Sequence, residues 1–315
     1  LQSLYREQCA WHRQFRRADH GIYQAQTRQT GLSRTGTQLH EQDTNKNWMD
    51  PEQYKEETKR NDKIMRAYER LLDYVKVYTT SEDGQEQIPS TMRQFDLARQ
   101  LAEELKELGV EDAFVDAHCY VYGTIPATPG YEDCTKLGFI AHMDTAPDFC
   151  GENVHPQIIE NYDGKDVKLG ESGRVLSVKQ FPHLPSLKGR TLITTDGTTL
   201  LGADDKAGVA EIMTVVQELM KGERPHGKVC IAFTPDEEVG CGADLFDIPG
   251  FGADYAYTLD GGYEAEVVYE NFNACGAEFQ VNGVNIHPGE AKDRMVNASI
   301  VAMEINSMLP ACERP

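Results

Sequence analysis

Four short segments of this sequence carry residue types suited to holding a divalent cation. They are His142-Met143-Asp144, Asp204-Asp205-Lys206, Asp236-Glu237-Glu238, and Asp260 ahead of Gly261-Gly262. Carboxylates gathered in one place repel each other and resist ionising together, and a cation of charge +2 removes that conflict. Imidazole among carboxylates suits zinc, and also manganese or cobalt. His142 and Asp144 stand two apart, so an extended backbone points both to one side. The carboxylate can then hold the second ring nitrogen while the first binds metal. Glu237 and Glu238 are adjacent and diverge, so one can ligate and leave the other as general base toward a water. Each segment alone has an ordinary explanation: a chance His-x-Asp, an N-cap with a favourable charge, a solvated turn, a strand exit. Four of them at expected strand ends favour the metal.

The elements around these segments read as an α/β sheet. Apolar runs at 137–141, 228–233 and 254–259 are bounded by polar or turn residues, the pattern of strands buried on both faces. Between the first two, Val209, Ile212, Met213, Val216, Leu219 and Met220 fall at helical spacing, and Gly222 closes the helix. Strand, helix, strand predicts a sheet covered by helices, and ligands collect at the carboxyl ends of such strands. Upstream, Ile64, Tyr68, Leu71, Leu72 and Val75 predict a helix from about Asn61 that buries that face. A second helix is expected with Ser90 as N-cap, Phe95, Ala98, Leu101, Leu105 and Leu108 on its face, and Gly109 as its stop. After Asp260, alternating strands are expected at 264–271 and 276–286, then a helix from Asn297 to Met308. Two strands and a helix are too little to bury a core of their own, so the chain is expected to be a fragment.

Composition narrows the function. The 315 residues carry 31 Lys+Arg against 51 Asp+Glu, a net charge of −20, which repels nucleic acid and anionic lipid. No apolar run is long enough to span a membrane, and no basic-then-apolar leader opens the chain, so a cytoplasmic location is expected. Eight cysteines include no Cys-x-x-Cys pair, so free thiols are expected rather than a zinc ribbon or a disulfide framework. Residues 1–48 differ in texture: Gln-rich, weakly periodic, net +3, with the first methionine at Met49. They read as a disordered tail or as an upstream segment foreign to the natural protein. A serine-hydrolase elbow and a P-loop are both absent from the sequence.

The site segments, read with their surroundings, resemble the tripeptide aminopeptidases of the co-catalytic di-zinc exopeptidase family, which also includes aminoacylases and carboxypeptidase G. The resemblance is carried by His142-Met143-Asp144-Thr145, by the run from Thr194 to Gly208 with its Thr-Thr-Asp-Gly-Thr-Thr-Leu-Leu-Gly-Ala-Asp-Asp-Lys-Ala-Gly, and by Phe233 to Gly240. Asn153 to Tyr162 and Glu270 to Ala274 add to it, and together it covers roughly residues 60–310. It implies a mixed sheet flanked by helices, as in zinc exopeptidase catalytic domains, over 59–271. It further implies the start of an α+β lid or dimerisation domain over 272–315, incomplete at its C-terminus, and a non-family extension over 1–58. Two Zn2+ per subunit are implied, with Mn2+ or Co2+ as substitutes. His142 and Asp260 would bind one ion, Asp204 would bridge both, and Glu238 would bind the second. Asp144 would orient His142, Glu237 would be the general base, and Asp204–Asp205 is a candidate cis peptide.

His287, in Ile286-His287-Pro288-Gly289, resembles a second-domain histidine that stabilises the oxyanion in the partner subunit's site. A homodimer through that domain is a further implication. The family's second zinc takes one more histidine from a Gly-rich segment near the C-terminus, and no such segment occurs here, so the chain as given is expected to have low or no activity. The implied reaction is release of the N-terminal residue from short peptides. Alternatives are a related di-zinc dipeptidase or aminoacylase, and a metal-binding fragment without catalysis.

Overall fold

The structure is a computed structural model, and it describes residues 65–262, 266–269 and 278–310. The expectations for residues 1–58, for Asn61 to Ile64 and for Glu270 to Ala274 lie outside the described residues. In chain order the elements are α1 (Ala67–Tyr74), α2 (Gln94–Glu107), β1 (Phe114–Val115), β2 (Val121–Ile125), β3 (Leu137–His142), β4 (Pro156–Ile159), β5 (Val167–Leu169) and β6 (Arg174–Leu176). They continue with β7 (Leu192–Thr195), α3 (Ala203–Met220), β8 (Val229–Thr234), α4 (Ile248–Phe251), β9 (Tyr255–Thr258) and α5 (Ala298–Met308). The chain divides into two units, one ending at Asp260 and the other beginning at Gly261.

The first unit is built on a five-stranded mixed sheet of order β1-β2-β8-β3-β9. Strands β8, β3 and β9 run parallel, and β2 joins β8 antiparallel. All six residues of β8 are buried, because alternate side chains enter two different cores. Val229, Ile231 and Phe233 pack with Leu97, Leu101 and Leu105 of α2 and Val209, Ile212, Met213 and Val216 of α3. Cys230 and Ala232 face the other way, toward Tyr120, Tyr122 and Phe251. The apolar run at 254–259 departs from its expectation. As β9 it lies at the sheet edge, with β3 as its one neighbour among the described residues, so its residues are half-buried or exposed, and Tyr257 is 53% exposed.

Two further corrections concern the N-terminal helices. Of the expected α1 face, Val75 is fully buried and Leu71 packs on the core, but Tyr68 is exposed, and Arg70 and Tyr74 are buried beside them. A guanidinium can be buried when its fork is filled. Arg70 donates to Glu104 at 2.8 Å, to the Met65 carbonyl, to Thr214 and to Gln217, tying α1 to α2 and α3. Ser90 is not the N-cap of α2, which starts after Arg93. Its hydroxyl is engaged by Asp236 instead. Gly109 does end the helix, with φ of 99°.

In the second unit, α5 is capped by the Asn297 side chain, which accepts from the Ser299 N–H. The expected strands at 264–271 and 276–286 do not form among the described residues. Only a single antiparallel bridge, Val284 to Val296, is present there. Val267 and Val268 are at least 72% exposed, so their apolar side chains bury little. No helix among the described residues is long and apolar enough to cross a membrane.

Candidate metal centre

The parallel strands deliver three of the site segments to one sheet edge. His142 is the last residue of β3, Pro235 to Glu238 follow β8, and Asp260 follows β9 by two residues. The fourth segment opens α3, and the chain there is not yet helical: Asp204 has φ −81° and ψ 109° after Gly202 at φ 75°. The Asp204–Asp205 peptide is cis, as the resemblance implies. The expected N-cap role is also realised, but by Asp205 alone. Its carboxylate accepts the Gly208 N–H at 3.1 Å and the His142 N–H at 3.2 Å, so it starts the helix and pins β3 to it. Asp204 is thereby left facing the strand ends.

The His142 Nε2 atom stands 3.0 Å from Asp204 Oδ1, 3.8 Å from Glu237 Oε2 and 3.9 Å from Asp260 Oδ2. His142, Asp204 and Asp260 each place a ligand atom within 4.8 Å of the other two. On the far side of the ring, Nδ1 lies 3.1 Å from the Asp144 carbonyl and 3.3 Å from its Oδ1. A proton on Nδ1 satisfies that side and leaves the Nε2 lone pair for a cation. Asp144, fully buried, also accepts the N–H groups of Glu237 at 3.0 Å and Glu238 at 3.2 Å. One carboxylate thus orients the imidazole and the loop that carries both glutamates. Glu238 is not part of the three-residue set; its carboxyl does feel Asp204 and His142.

The electrostatics are those of acids short of a cation. Among the described residues no lysine or arginine pairs with Asp204, Glu237, Glu238 or Asp260. Burial, followed by the neighbouring carboxylates, raises Asp260, Glu237 and Glu238 above the usual carboxylate range. Asp205 is pushed to about 8, chiefly by burial. Asp204 is lowered, because it accepts directly from His142. Burial alone would depress His142, yet the hydrogen bonds to Asp144 and Asp204 overcome it and raise the imidazole to about 11. A proton on His142 stands where a divalent ion would satisfy the same carboxylates better. One nitrogen and several carboxylate oxygens, partly open to solvent, form a donor set that fits zinc.

Among the residues singled out from sequence, His142, Asp144, Asp204, Glu237 and Asp260 come together. His287 lies in the second unit, where it opens a 3-10 turn and its Nδ1 accepts from the Gly289 N–H. One buried acid, Asp236, has no role expected from the sequence, and Asp205 adds to its expected cap a bond to the His142 N–H. Asp236 is fully buried, in the left-handed region at φ 55°. Lys206 is buried as well, its Nζ donating to the Val77 carbonyl at 2.7 Å.

With this geometry in place, known proteins give it a context. Residues 269–315 match the peptidase dimerisation domain. Peptidase T of Clostridium perfringens is 55% identical over 253 residues, which cover 80% of this chain and 62% of that protein. Peptidase T of Halothermothrix orenii is 54% identical over 254 residues, with the same shares. The crystal structure of a tripeptidase from Staphylococcus aureus superposes with a TM-score of 0.51 at 21% identity, over 78% of this chain and 56% of that one, and shares the fold. The chain therefore spans about three fifths of the length of the curated relatives it matches.

Proposed function

We propose that this chain, a homologue of peptidase T over some 250 residues, carries the catalytic centre of a zinc-dependent tripeptide aminopeptidase. The observation that carries the reading is the His142 Nε2 atom set among the carboxylates of Asp204, Glu237 and Asp260, with no lysine or arginine among the described residues paired to them. His142, Asp204 and Asp260 would hold one Zn2+; Asp204, as the bridge, and Glu238 would contribute to a second, with Mn2+ or Co2+ able to substitute. Bound divalent ions supply the Lewis acidity that polarises a scissile carbonyl and makes water nucleophilic at neutral pH.

The chain's own residues do the rest. Asp144 holds His142 in one tautomer and fixes the backbone of Glu237. Glu237, its carboxyl raised by burial and half exposed, would accept the proton of the attacking water and return it to the departing amine. His287 is retained as the oxyanion-stabilising histidine that the family resemblance implies. The match to a peptidase dimerisation domain supports a homodimer, and the strongly negative charge supports peptide rather than nucleic-acid substrates. We read the enzyme as cytoplasmic and catabolic, with the catalytic unit ending near 271 and the dimerisation unit beginning there.

The test uses the full-length protein purified without chelator and loaded with zinc. Release of the N-terminal residue from free-amine tripeptides is expected, and Glu237→Gln should keep its zinc while turnover drops about 10²–10⁴-fold. Cleavage of N-acyl amino acids with no action on tripeptides would transfer the site to the aminoacylase reading. Zinc binding without any hydrolysis would favour a non-catalytic metal protein.

A further inference from the structure

The residue before the two glutamates is held more tightly than a turn requires. Asp236 is fully buried, and its two carboxylate oxygens accept three hydrogen bonds of 2.6 Å each: from the Ser90 N–H, the Ser90 hydroxyl and the Gln94 amide. Its own N–H donates back to Gln94 Oε1 at 3.2 Å. Its carbonyl accepts the Cys241 N–H, and the Glu237 carbonyl accepts the Gly240 N–H at 2.7 Å, closing the loop on itself. Gly242 is pressed against that loop, since a Cβ there would lie 3.0 Å from Glu237 Cα. A left-handed residue at this point needs only Asn or Gly. A buried carboxylate surrounded by neutral donors is a costly substitute, and its hydrogen bonds have the length of charge-assisted ones.

We propose that Asp236 is a positioning residue for Glu237. It clamps the loop after β8 onto the Ser90–Gln94 segment, so that the Glu237 and Glu238 N–H groups meet Asp144 and the Glu237 carboxylate faces His142. The Glu237 side chain is half exposed, so its aim is set by its backbone, and the backbone is gripped on one side by Asp144 and on the other through Asp236. Ser90 and Gln94, although they touch no site residue but Asp236, belong to the same device. This inference rests on the reading of Glu237 as general base.

Asp236→Ala, Asp236→Asn, Ser90→Ala and the reference Glu237→Gln are compared in the full-length, zinc-loaded protein. For Asp236→Ala the expectation is a loss in kcat of about 10²-fold, the effect of misplacing a catalytic group by ~1 Å. KM and occupancy of the ion held by His142, Asp204 and Asp260 should stay close to wild type. Asp236→Asn keeps the left-handed preference and one acceptor, and should recover about tenfold of that loss. Ser90→Ala should move kcat in the same direction by a smaller factor. In the metal-free protein the amides of Glu237 and Glu238 should exchange faster in the Asp236 variants. Variants that lose thermal stability but keep kcat and amide protection would overturn the proposal and leave Asp236 a structural residue. If Asp236→Ala does not fold, Asp236→Asn and Ser90→Ala decide by the same readouts. Normal turnover of Glu237→Gln would instead remove the general-base reading, while the exchange data would still report on the clamp.

Discussion

Gly208→Ala places one methyl group at the narrowest point of the site's scaffold. Gly208 lies in α3, where alanine is ordinarily favoured over glycine by about 1 kcal/mol. Here a Cβ would stand 2.0 Å from the Leu259 carbonyl oxygen and 2.4 Å from Asp205 Oδ1. Neither neighbour is a free chain end: Leu259 is backbone, its N–H bonded to Ile140, and Asp205 is held by His142 and Gly208. Reaching even the shortest contact that real Cβ atoms make requires the 259–260 segment and the start of α3 to part by about 1 Å. Metal ligation tolerates about 0.2 Å. Asp260 and Asp204 ride on the two parts being separated, so the substitution opens the ligand set itself. The expected outcome is a folded protein, destabilised by about 1–3 kcal/mol from overpacking, with zinc affinity reduced by at least ~10²-fold. Calorimetric titration with zinc and a thermal melt in chelator measure the two effects separately. Wild-type zinc affinity in a folded Gly208→Ala variant would refute the argument that this contact sets the ligand spacing.

Other outcomes follow from the same geometry. Asp144→Ala removes the carboxylate shared by the His142 ring and the Glu237 and Glu238 N–H groups, leaving Nδ1 only the carbonyl of residue 144, and zinc affinity should fall about 10–100-fold; unchanged affinity would remove the Asp144 carboxylate from that role. The pH dependence of zinc binding has a definite sign. In the metal-free protein His142 holds its proton far above the ordinary imidazole value, and a ligating imidazole must give it up. Zinc binding between pH 7 and 9 should therefore release about one proton and tighten roughly tenfold per pH unit. Calorimetry in buffers of different ionisation enthalpy measures this, and zinc uptake at pH 8 with no proton release would contradict the environment described for His142.

The parts of this molecule legible in its sequence are those where side-chain chemistry and strand period coincide. Strands β3 and β8 and helix α3 follow from apolar runs and helical spacing, and the polar residues at their ends mark the edge where the site forms. What was hidden depends on partners distant in the chain. Ser90 reads as an N-cap because Ser before a helix ordinarily caps it, but its partner is Asp236, 146 residues away. Asp205 reads as a capping residue and is one, but its second bond, to the His142 N–H, spans 63 residues. Nothing local to Arg70 announces the acceptors on α2 and α3 that bury it. The alternating residues after Asp260 have strand periodicity, yet among the described residues they form a single bridge, Val284 to Val296.

The central claim is that these carboxylates share a site because a divalent ion sits among them. Crystals grown without chelator and soaked in zinc, measured at the zinc absorption edge, test it directly. An anomalous peak is expected about 2.0–2.2 Å from His142 Nε2 and from carboxylate oxygens of Asp204 and Asp260. A zinc-saturated crystal with no peak there, or with its peaks only elsewhere on the protein, would contradict it.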